Sequence, residues 1–185
     1  MFYNYKFLKR KLYYKDFSIE NLKETDLEKL RIWRNAQRKV LRQNYILSKR
    51  DQKNYFNKYI SKQSKKKFPE VILFAYKYKK ELIGYGGFVY ISWDNNRAEV
   101  SYLLKTEYTL NKDYYKFYTS IYFKLIKKIA FNVIKFRRIF TETFVYRKNH
   151  IKLLEKVGFK KEGILRKHNT KNKKAVNVIV HSIVK

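Results

Sequence analysis

Two glutamates on strand-like segments, Glu142 and Glu99, are the candidates for a general base. Glu142 lies in the alternating segment from Arg138 to Val145, on the same face as Phe140 and Phe144. Poor solvation on an apolar face raises the pKa of a carboxyl group towards neutral pH, where the group can act as a general base. Glu142 is therefore the first candidate for a base. The alternative is a carboxylate paired with one of the many lysines, and the sequence leaves both interpretations open.

Glu99 is the second candidate for a base. It lies in another strand-like segment, where alternation places it on the face of Ser101 and Leu103. The alternative is a structural role, in which Glu99 forms an ion pair with Arg97 or Arg138.

The composition restricts the other kinds of catalytic chemistry. The chain has no cysteine, which excludes thiolate nucleophiles and disulfides. His168 and His181 have no histidine or carboxylate partners at ligand spacing, so we expect no metal site. The reacting groups must therefore be oxygen and nitrogen atoms.

The formal net charge of +30 is at first sight typical of a protein that binds nucleic acid. However, the residues encoded by A/T-rich codons are frequent throughout. The lysines are spread along the chain, and only residues 65–67 and 171–174 form short runs. We therefore attribute the charge to base composition and do not expect nucleic acid as the primary partner. No apolar run approaches the roughly 18 residues of a membrane span, and no secretory leader is readable, so we predict a cytoplasmic protein.

Hydrophobic periodicity predicts the element order β, α, α, β, β, β, α, β, α, β, β. Strands are expected over residues 14–22, 71–78, 82–93, 97–104, 138–145, 159–165 and 175–184, and the longest helix over 112–133. The strands of 71–104 form an antiparallel meander, the strands flanking the longest helix pair in parallel, and 166–174 is a loop. The fold class is α+β with α/β/α layers, a mixed and mostly antiparallel seven-stranded sheet and about four helices, in a single domain over residues 1–185.

Local signals predict where two of the helices begin and end. Ser48 with Asp51 resembles a capping box at the start of a helix. Gly158 suits the left-handed position that follows a helix terminus.

Several segments resemble the GNAT superfamily of acetyl-CoA-dependent N-acetyltransferases. Residues 82–88, LIGYGGF, and 96–104, NRAEVSYLL, look like the third and fourth strands of that family, the fourth being where many members hold a base. Residues 153–163, LLEKVGFKKEG, are similar to its closing EKxGFxxEG element. The resemblance covers nearly the whole chain. It implies the GNAT fold and an acyl-CoA-dependent N-acyltransferase that uses acetyl-CoA as co-substrate, without a metal.

The loop that holds the cofactor phosphates in the family departs from its pattern here. Tyr115, Phe117 and Thr119 stand at positions where the family has small residues, and bulky side chains there hinder the approach of a pyrophosphate to backbone amides. Lys112 and Lys116 can replace part of that attraction with side-chain charge. The cofactor contacts implied by the resemblance are Leu103, Leu104, Lys105, Lys112, Tyr114, Tyr115, Lys116 and Asn149.

The general acid of the family does not transfer to this sequence. The family's tyrosine before EKxGF falls at Leu154, so Tyr146 and His150, just upstream, are the candidates to protonate the departing thiolate. The family's asparagine for the cofactor arm falls at Arg147. Asn149 takes over that role only if the loop shifts by two residues, and a helix cap is the favoured interpretation for Asn149.

Trp33-Arg34-Asn35 is similar to a motif in the branch that acetylates nucleotide-linked amino sugars. With Arg42 it forms a candidate acceptor subsite, in which an aromatic ring and guanidinium groups meet a base and a diphosphate. The alternative is that Trp33 belongs to the core. A nucleotide-linked amino sugar is thus the first predicted acceptor.

Two other functions stay open. The chain also resembles ribosomal-protein N-terminal acetyltransferases, and a catalytically inactive GNAT-like fold that binds a polyanion such as RNA is the alternative from another class. Whether the protein forms a homodimer also stays open.

Overall fold

The computed structural model describes residues 11–63 and 66–185. The strands in this part of the chain are β1 Leu12–Tyr14, β2 Phe17–Asn21, β3 Ile72–Tyr78, β4 Glu81–Ser92, β5 Arg97–Leu104, β6 Arg138–Phe144, β7 Lys160–Lys171 and β8 Lys174–Val184. They form one sheet in the order β1-β2-β3-β4-β5-β6-β8-β7. Neighbouring strands are antiparallel except for β5 and β6, which are parallel.

The helices connect and cover these strands. They are α1 Leu27–Ala36, α2 Lys49–Tyr55, α3 Ser61–Gln63, α4 Thr106–Leu110, α5 Lys112–Lys128 and α6 Lys148–Lys156. Wider π-type turns, Phe56–Ile60 and Ile129–Ile134, prolong α2 and α5, and single 3₁₀ turns lie at Glu24–Asp26 and Arg38–Val40.

The α+β class and the mixed, mostly antiparallel sheet are confirmed, whereas the predicted counts were too low. Lys15 has a φ of 52°, and this left-handed residue turns the chain between β1 and β2 inside the predicted first strand. The predicted loop 166–174 is mostly strand, because β7 runs through it and pairs with β8 across a register shift between Leu165 and Asn169. Pairing overrides the hydrophilic composition of that segment. The extra helices are the short segments α3 and α4.

The predicted meander and the parallel strand pair are both confirmed. Lys79 and Lys80, with φ of 46° and 69°, form the two-residue turn between β3 and β4. The parallel pairing of β5 with β6 includes only Arg97, Ala98 and Glu99 of β5. Beyond Glu99 the two strands separate, and a wedge opens between their C-terminal halves.

Apolar side chains cover both faces of the sheet. On one face, α5 buries Tyr122, Phe123 and Ile126 against residues such as Phe88 and Val100. On the other, α1 packs a smaller cluster, which consists of Leu30, Trp33, Ala75, Leu82, Tyr85 and Leu103. Because successive strand residues point to opposite faces, these clusters make the three layers of the predicted α/β/α arrangement.

Both helix-end signals read from the sequence are confirmed. Ser48 and Asp51 form a reciprocal capping box at the start of α2. Gly158 follows α6 with a φ of +99°, a conformation that favours glycine. Among residues 11–63 and 66–185, none of the helices is both long and apolar enough to cross a membrane.

Candidate active site

Two adjoining cavities lie around the wedge between β5 and β6. The sheet cavity, of about 800 Å³, lies over the separating strands, and its polar lining includes Arg34, Arg42, Tyr90, Glu99, Glu142 and Arg147. The basic cleft, of about 990 Å³, lies between the N-terminal ends of α5 and α6 and the Arg38–Val40 turn, and its lining includes Lys39, Lys112, Lys116, Lys148, Lys152 and Lys156. Val40, Arg147 and His150 line both cavities, so the two spaces meet at these residues.

Both candidate bases lie in the sheet cavity, on one face of the sheet. Glu99 is opposite Phe140 in the parallel pair, which places Glu142 two residues further along β6 on the same side. Arg42 forms an ion pair with Glu99 and lies 3.3 Å from Oε2 of Glu142. The arginine thus bridges two carboxylates that the sequence had treated as alternatives.

The partners predicted for Glu99 were wrong. Arg42, which is 57 residues away in the chain, contacts Glu99, whereas Arg138 pairs with Glu162. The side chain of Glu99 is only 7% exposed, and burial raises its pKa to about 7, although Arg42 acts in the opposite direction. Glu142 is 17% exposed and has a second basic neighbour in His168, at 3.5 Å. The more buried carboxylate is therefore Glu99.

A tyrosine, a histidine and an arginine form a cluster where the two cavities meet. The hydroxyl of Tyr115, from the first turn of α5, lies 2.7 Å from Nδ1 of His150 in α6. Nη2 of Arg147 donates to the same hydroxyl over 3.4 Å. Burial raises the pKa of Tyr115, and burial together with Arg147 holds the pKa of His150 well below its ordinary value. The imidazole is therefore neutral at physiological pH.

Tyr146, the other predicted acid, has a different environment. Its hydroxyl donates to the carbonyl of Lys39 over 2.6 Å, and its ring stacks on Phe144 with the centroids 5.3 Å apart. Leu154, at the family's tyrosine position, is fully buried in the core. Of the two predicted acids, only His150 takes part in the cluster at the junction.

The start of α5 differs from an open phosphate-binding turn. Oδ1 of Asn111 accepts hydrogen bonds from the amides of Asp113 and Tyr114, at 2.9 and 3.0 Å. These amides, which would otherwise face an anion, are therefore already capped. The positive charge of the cleft comes from lysine side chains instead.

The predicted cofactor residues divide into two groups. Lys112, Tyr115, Lys116 and Asn149 line the basic cleft, whereas Leu103, Leu104, Lys105 and Tyr114 do not. The carbonyl of Leu104 accepts from the side chain of Gln37 over 2.7 Å, and the amide of Lys105 donates to Ile83 over 2.7 Å. Two of the backbone groups expected to meet the cofactor arm, the carbonyl of Leu104 and the amide of Lys105, thus already have partners.

The prediction that Asn149 caps a helix was wrong. The helix α6 begins one residue earlier, at Lys148, and Arg147 is the residue that precedes its first turn. Asn149 therefore lies inside the first turn of α6, where it lines the basic cleft. The tight turn before Arg147, in which the Arg147 amide donates to the Phe144 carbonyl over 2.9 Å, starts the helix early.

Only part of the predicted acceptor subsite faces the sheet cavity. Arg34 and Arg42 line it, although Arg34 also donates to the hydroxyl of Tyr85 over 2.7 Å. Trp33 is 6% exposed and belongs to the core, as the alternative interpretation had it. The side chain of Asn35 instead bonds the backbone of Leu47, with its nitrogen 2.9 Å from the carbonyl.

Some residues of the site were missed from the sequence. Tyr90 and Arg147 line the sheet cavity, and neither was assigned a role there. Tyr90 lies in an irregular part of β4 with a φ of 48°, which is unusual for a tyrosine, and its ring lies 5.9 Å from the guanidinium of Arg42. No sequence signal marks that irregularity. Arg147 had a signal, because it stands at the position of the family's cofactor-binding asparagine.

Comparison with known proteins agrees with this fold. The chain is 33% identical to the uncharacterized N-acetyltransferase YoaA of Bacillus subtilis (strain 168) over 106 residues, which is 57% of either chain. A spermidine N-acetyltransferase from Vibrio cholerae, solved with CoA and spermine, has a TM-score of 0.77 at 18% identity and covers 92% of this chain and 96% of its own. A GCN5-related N-acetyltransferase from Brucella melitensis has a TM-score of 0.72 at 17% identity, covering 95% and 79%. The acetyltransferase (GNAT) domain model matches residues 19–180, and the chain therefore belongs to the GNAT acetyltransferase family.

Proposed function

We propose that this protein transfers the acetyl group of acetyl-CoA to a primary amine, with Glu99 as the general base. The observation that carries the proposal is the position of Glu99. It is a buried carboxylate with a pKa of about 7, in a cavity that joins the basic cleft at Val40, Arg147 and His150. A base with this pKa is divided between its two protonation states near neutral pH, where it can both take up and release a proton.

The basic cleft supports acetyl-CoA as the donor. Six lysines line the cleft, and charge-assisted hydrogen bonds from ammonium groups suit the phosphates of CoA. With the α5 amides capped by Asn111, these side chains replace the backbone as the source of positive charge. Acetyl-CoA supplies a thioester, whose carbonyl carbon is the electrophile.

The proposed reaction is a direct transfer. The ammonium form of the acceptor gives up one proton to Glu99, and the free amine attacks the thioester carbonyl. In the tetrahedral oxyanion that results, the nitrogen loses its second proton to solvent. The C–S bond then breaks, and CoA leaves as a thiolate that needs a proton. A covalent enzyme intermediate through sulfur is excluded, because the chain has no cysteine.

The charges of the sheet cavity support a cationic amine as the acceptor. Glu99 and Glu142 lie in the cavity with Arg42 beside both, and an ammonium group can take the place that Arg42 holds next to their carboxylates. The spermidine N-acetyltransferase with a similar fold was solved with spermine, which is a polyamine. A polyamine is thus the acceptor we place first, ahead of the nucleotide-linked amino sugar.

The amino sugar is the second candidate, and a specific observation favours it. Arg42 lies beside the ring of Tyr90 and is 36% exposed, so that a guanidinium and an aromatic ring face the cavity together. This pair suits the diphosphate and base of a nucleotide if Arg42 leaves its carboxylate partners.

The proposal is tested by incubating the purified protein with acetyl-CoA and separate acceptors. The acceptors are spermine, spermidine, a nucleotide-linked 4-amino-4,6-dideoxy sugar and a peptide with a free N-terminus. We expect acetylated polyamine in the mass spectrum and matching release of free CoA thiol. Absence of a thermal shift with millimolar acetyl-CoA, together with salt-dependent binding of an RNA oligomer, would show an inactive polyanion-binding fold instead.

A further inference from the structure

The cluster of Tyr115, His150 and Arg147 has no part in the steps described so far. It lies at the junction of the two cavities, where the acyl group must pass from the donor to the acceptor. We propose that Tyr115 is the general acid that protonates the thiolate of CoA as it departs. This inference rests on the proposed function, and it assigns to the first turn of α5 a role that the sequence had placed near α6.

The position of Tyr115 is the first argument. Its side chain lines the basic cleft, and its hydroxyl lies 2.7 Å from His150, which lines both cavities. The thioester sulfur of a donor whose phosphates contact the lysines must reach the same junction for its acetyl group to meet an amine beside Glu99. The hydroxyl of Tyr115 is therefore placed beside the bond that breaks.

The other candidates for the general acid have no suitable proton to donate at the junction of the two cavities. Leu154 is apolar and buried in the core. Tyr146 donates its hydroxyl proton to the carbonyl of Lys39 over 2.6 Å. His150 is neutral, and a neutral imidazole is a weaker acid than a phenol. A phenol has an ordinary pKa of about 10, which is close enough to that of a thiol for proton transfer to a thiolate.

The protons balance over the cycle. The ammonium group of the acceptor loses one proton to Glu99 and, after the attack, a second to solvent, and the O–H bond of Tyr115 breaks as the new S–H bond forms on CoA. The resulting phenolate is stabilised by Arg147, 3.4 Å away, and regains its proton from solvent. Glu99 releases its proton to solvent, so that the cycle releases one proton in all. His150 and Arg147 are therefore positioning residues that hold the phenol.

The first experiment compares two acyl donors in the wild type and in Tyr115→Phe. General acid catalysis contributes about 100-fold or more, so we expect kcat with acetyl-CoA to fall by about that factor in the variant. With the selenoester analogue of acetyl-CoA, whose selenolate leaves without a proton, the variant should stay within a few-fold of the wild type. Tyr78→Phe, which removes a hydroxyl outside both cavities, is the matched control and should change neither rate.

A second measurement does not depend on turnover. At about pH 9, where a thiol is substantially ionised, a hydrogen bond from Tyr115 should make CoA bind at least about tenfold more tightly than desulfo-CoA. In Tyr115→Phe this ratio should fall to about one, while the affinity for desulfo-CoA stays unchanged.

The outcomes separate this inference from the proposed function. Equal losses with the thioester and the selenoester, or an unchanged ratio of CoA to desulfo-CoA affinity in Tyr115→Phe, would overturn Tyr115 as the acid and leave the acetyltransferase intact. A wild-type protein that binds neither CoA nor desulfo-CoA would overturn both.

Discussion

The sheet cavity and the basic cleft differ in whether their charges have partners. In the sheet cavity, Arg42 is paired with Glu99 and lies near Glu142, so that cation and anions largely compensate each other. In the basic cleft, none of the six lining lysines forms an ion pair within residues 11–63 and 66–185, and Asp113 is the acidic residue that lines it. One space is nearly neutral and the other strongly positive.

This difference supports the ligand that we propose for each space. Unpaired lysines repel one another unless a polyanion neutralises them, which suits the phosphates of CoA. In the sheet cavity, by contrast, a cationic acceptor can displace Arg42 and take its place beside the two carboxylates. Each of the following predictions tests one side of this contrast.

The largest effect is expected from Glu99→Gln. The amide cannot accept the proton of the amine, so kcat should fall by about 100-fold or more while the affinity for acetyl-CoA stays unchanged. Steady-state kinetics and calorimetric titration with acetyl-CoA measure the two quantities. Glu142→Gln is the matched control and should lower kcat far less, and the reverse ranking would make Glu142 the base.

The pH dependence of kcat should reflect the ionisation of the Glu99 carboxyl group. Glu99 accepts a proton only when ionised, and its pKa is raised by burial to about 7. We therefore expect kcat to rise about tenfold per pH unit below pH 7 and to level off above it. A wild-type profile without this rise would contradict Glu99 as the base. A rise that persists unchanged in Glu99→Gln would assign the titration to another group.

The charge of the basic cleft is tested by the double substitution Lys112→Ala and Lys116→Ala. Removing two cations from the start of α5 should weaken acetyl-CoA binding by about tenfold and reduce its dependence on salt. Titrations at several salt concentrations measure both effects. Lys29→Ala with Lys128→Ala, two exposed positions outside the cleft, provides the control, and equal weakening there would point to net charge alone.

The smallest effect is expected from Arg42→Gln. Arg42 lowers the pKa of Glu99, so its removal should raise that pKa further and move the ascending limb of the pH profile to higher pH. The freed carboxylates should bind a polyamine a few-fold more tightly. Arg50→Gln, at an exposed position outside both cavities, should change neither property. Weaker polyamine binding in Arg42→Gln would show that Arg42 itself contacts the acceptor.

The sequence predicted the features that depend on neighbouring residues. The capping box of Ser48, the left-handed Gly158 and the placement of Glu99 on one strand face all follow from local geometry, and the structure has each of them. The prediction of a loop over 166–174, which followed from its hydrophilic composition, was wrong, because pairing with β8 decides the conformation of that segment.

The site itself depends on contacts between distant segments. Residues 42 and 99, 115 and 150, and 39 and 146 are brought together only when the sheet and helices are assembled. Neither the partner of a buried carboxylate nor the neighbour of a phenol follows from periodicity. For this reason the sequence named Arg97 and Arg138 as partners of Glu99, and it did not indicate that Tyr115 meets His150.

What the sequence by itself determined is the family, the order of most elements, and the face that Glu99 and Glu142 each occupy on its own strand, because these follow from short-range patterns and motifs. Only the tertiary structure decided that Arg42 bridges the two carboxylates and that Tyr115 meets His150 where the cavities join. The physical reason is that burial and pairing set the pKa of a side chain, and both are properties of the assembled fold.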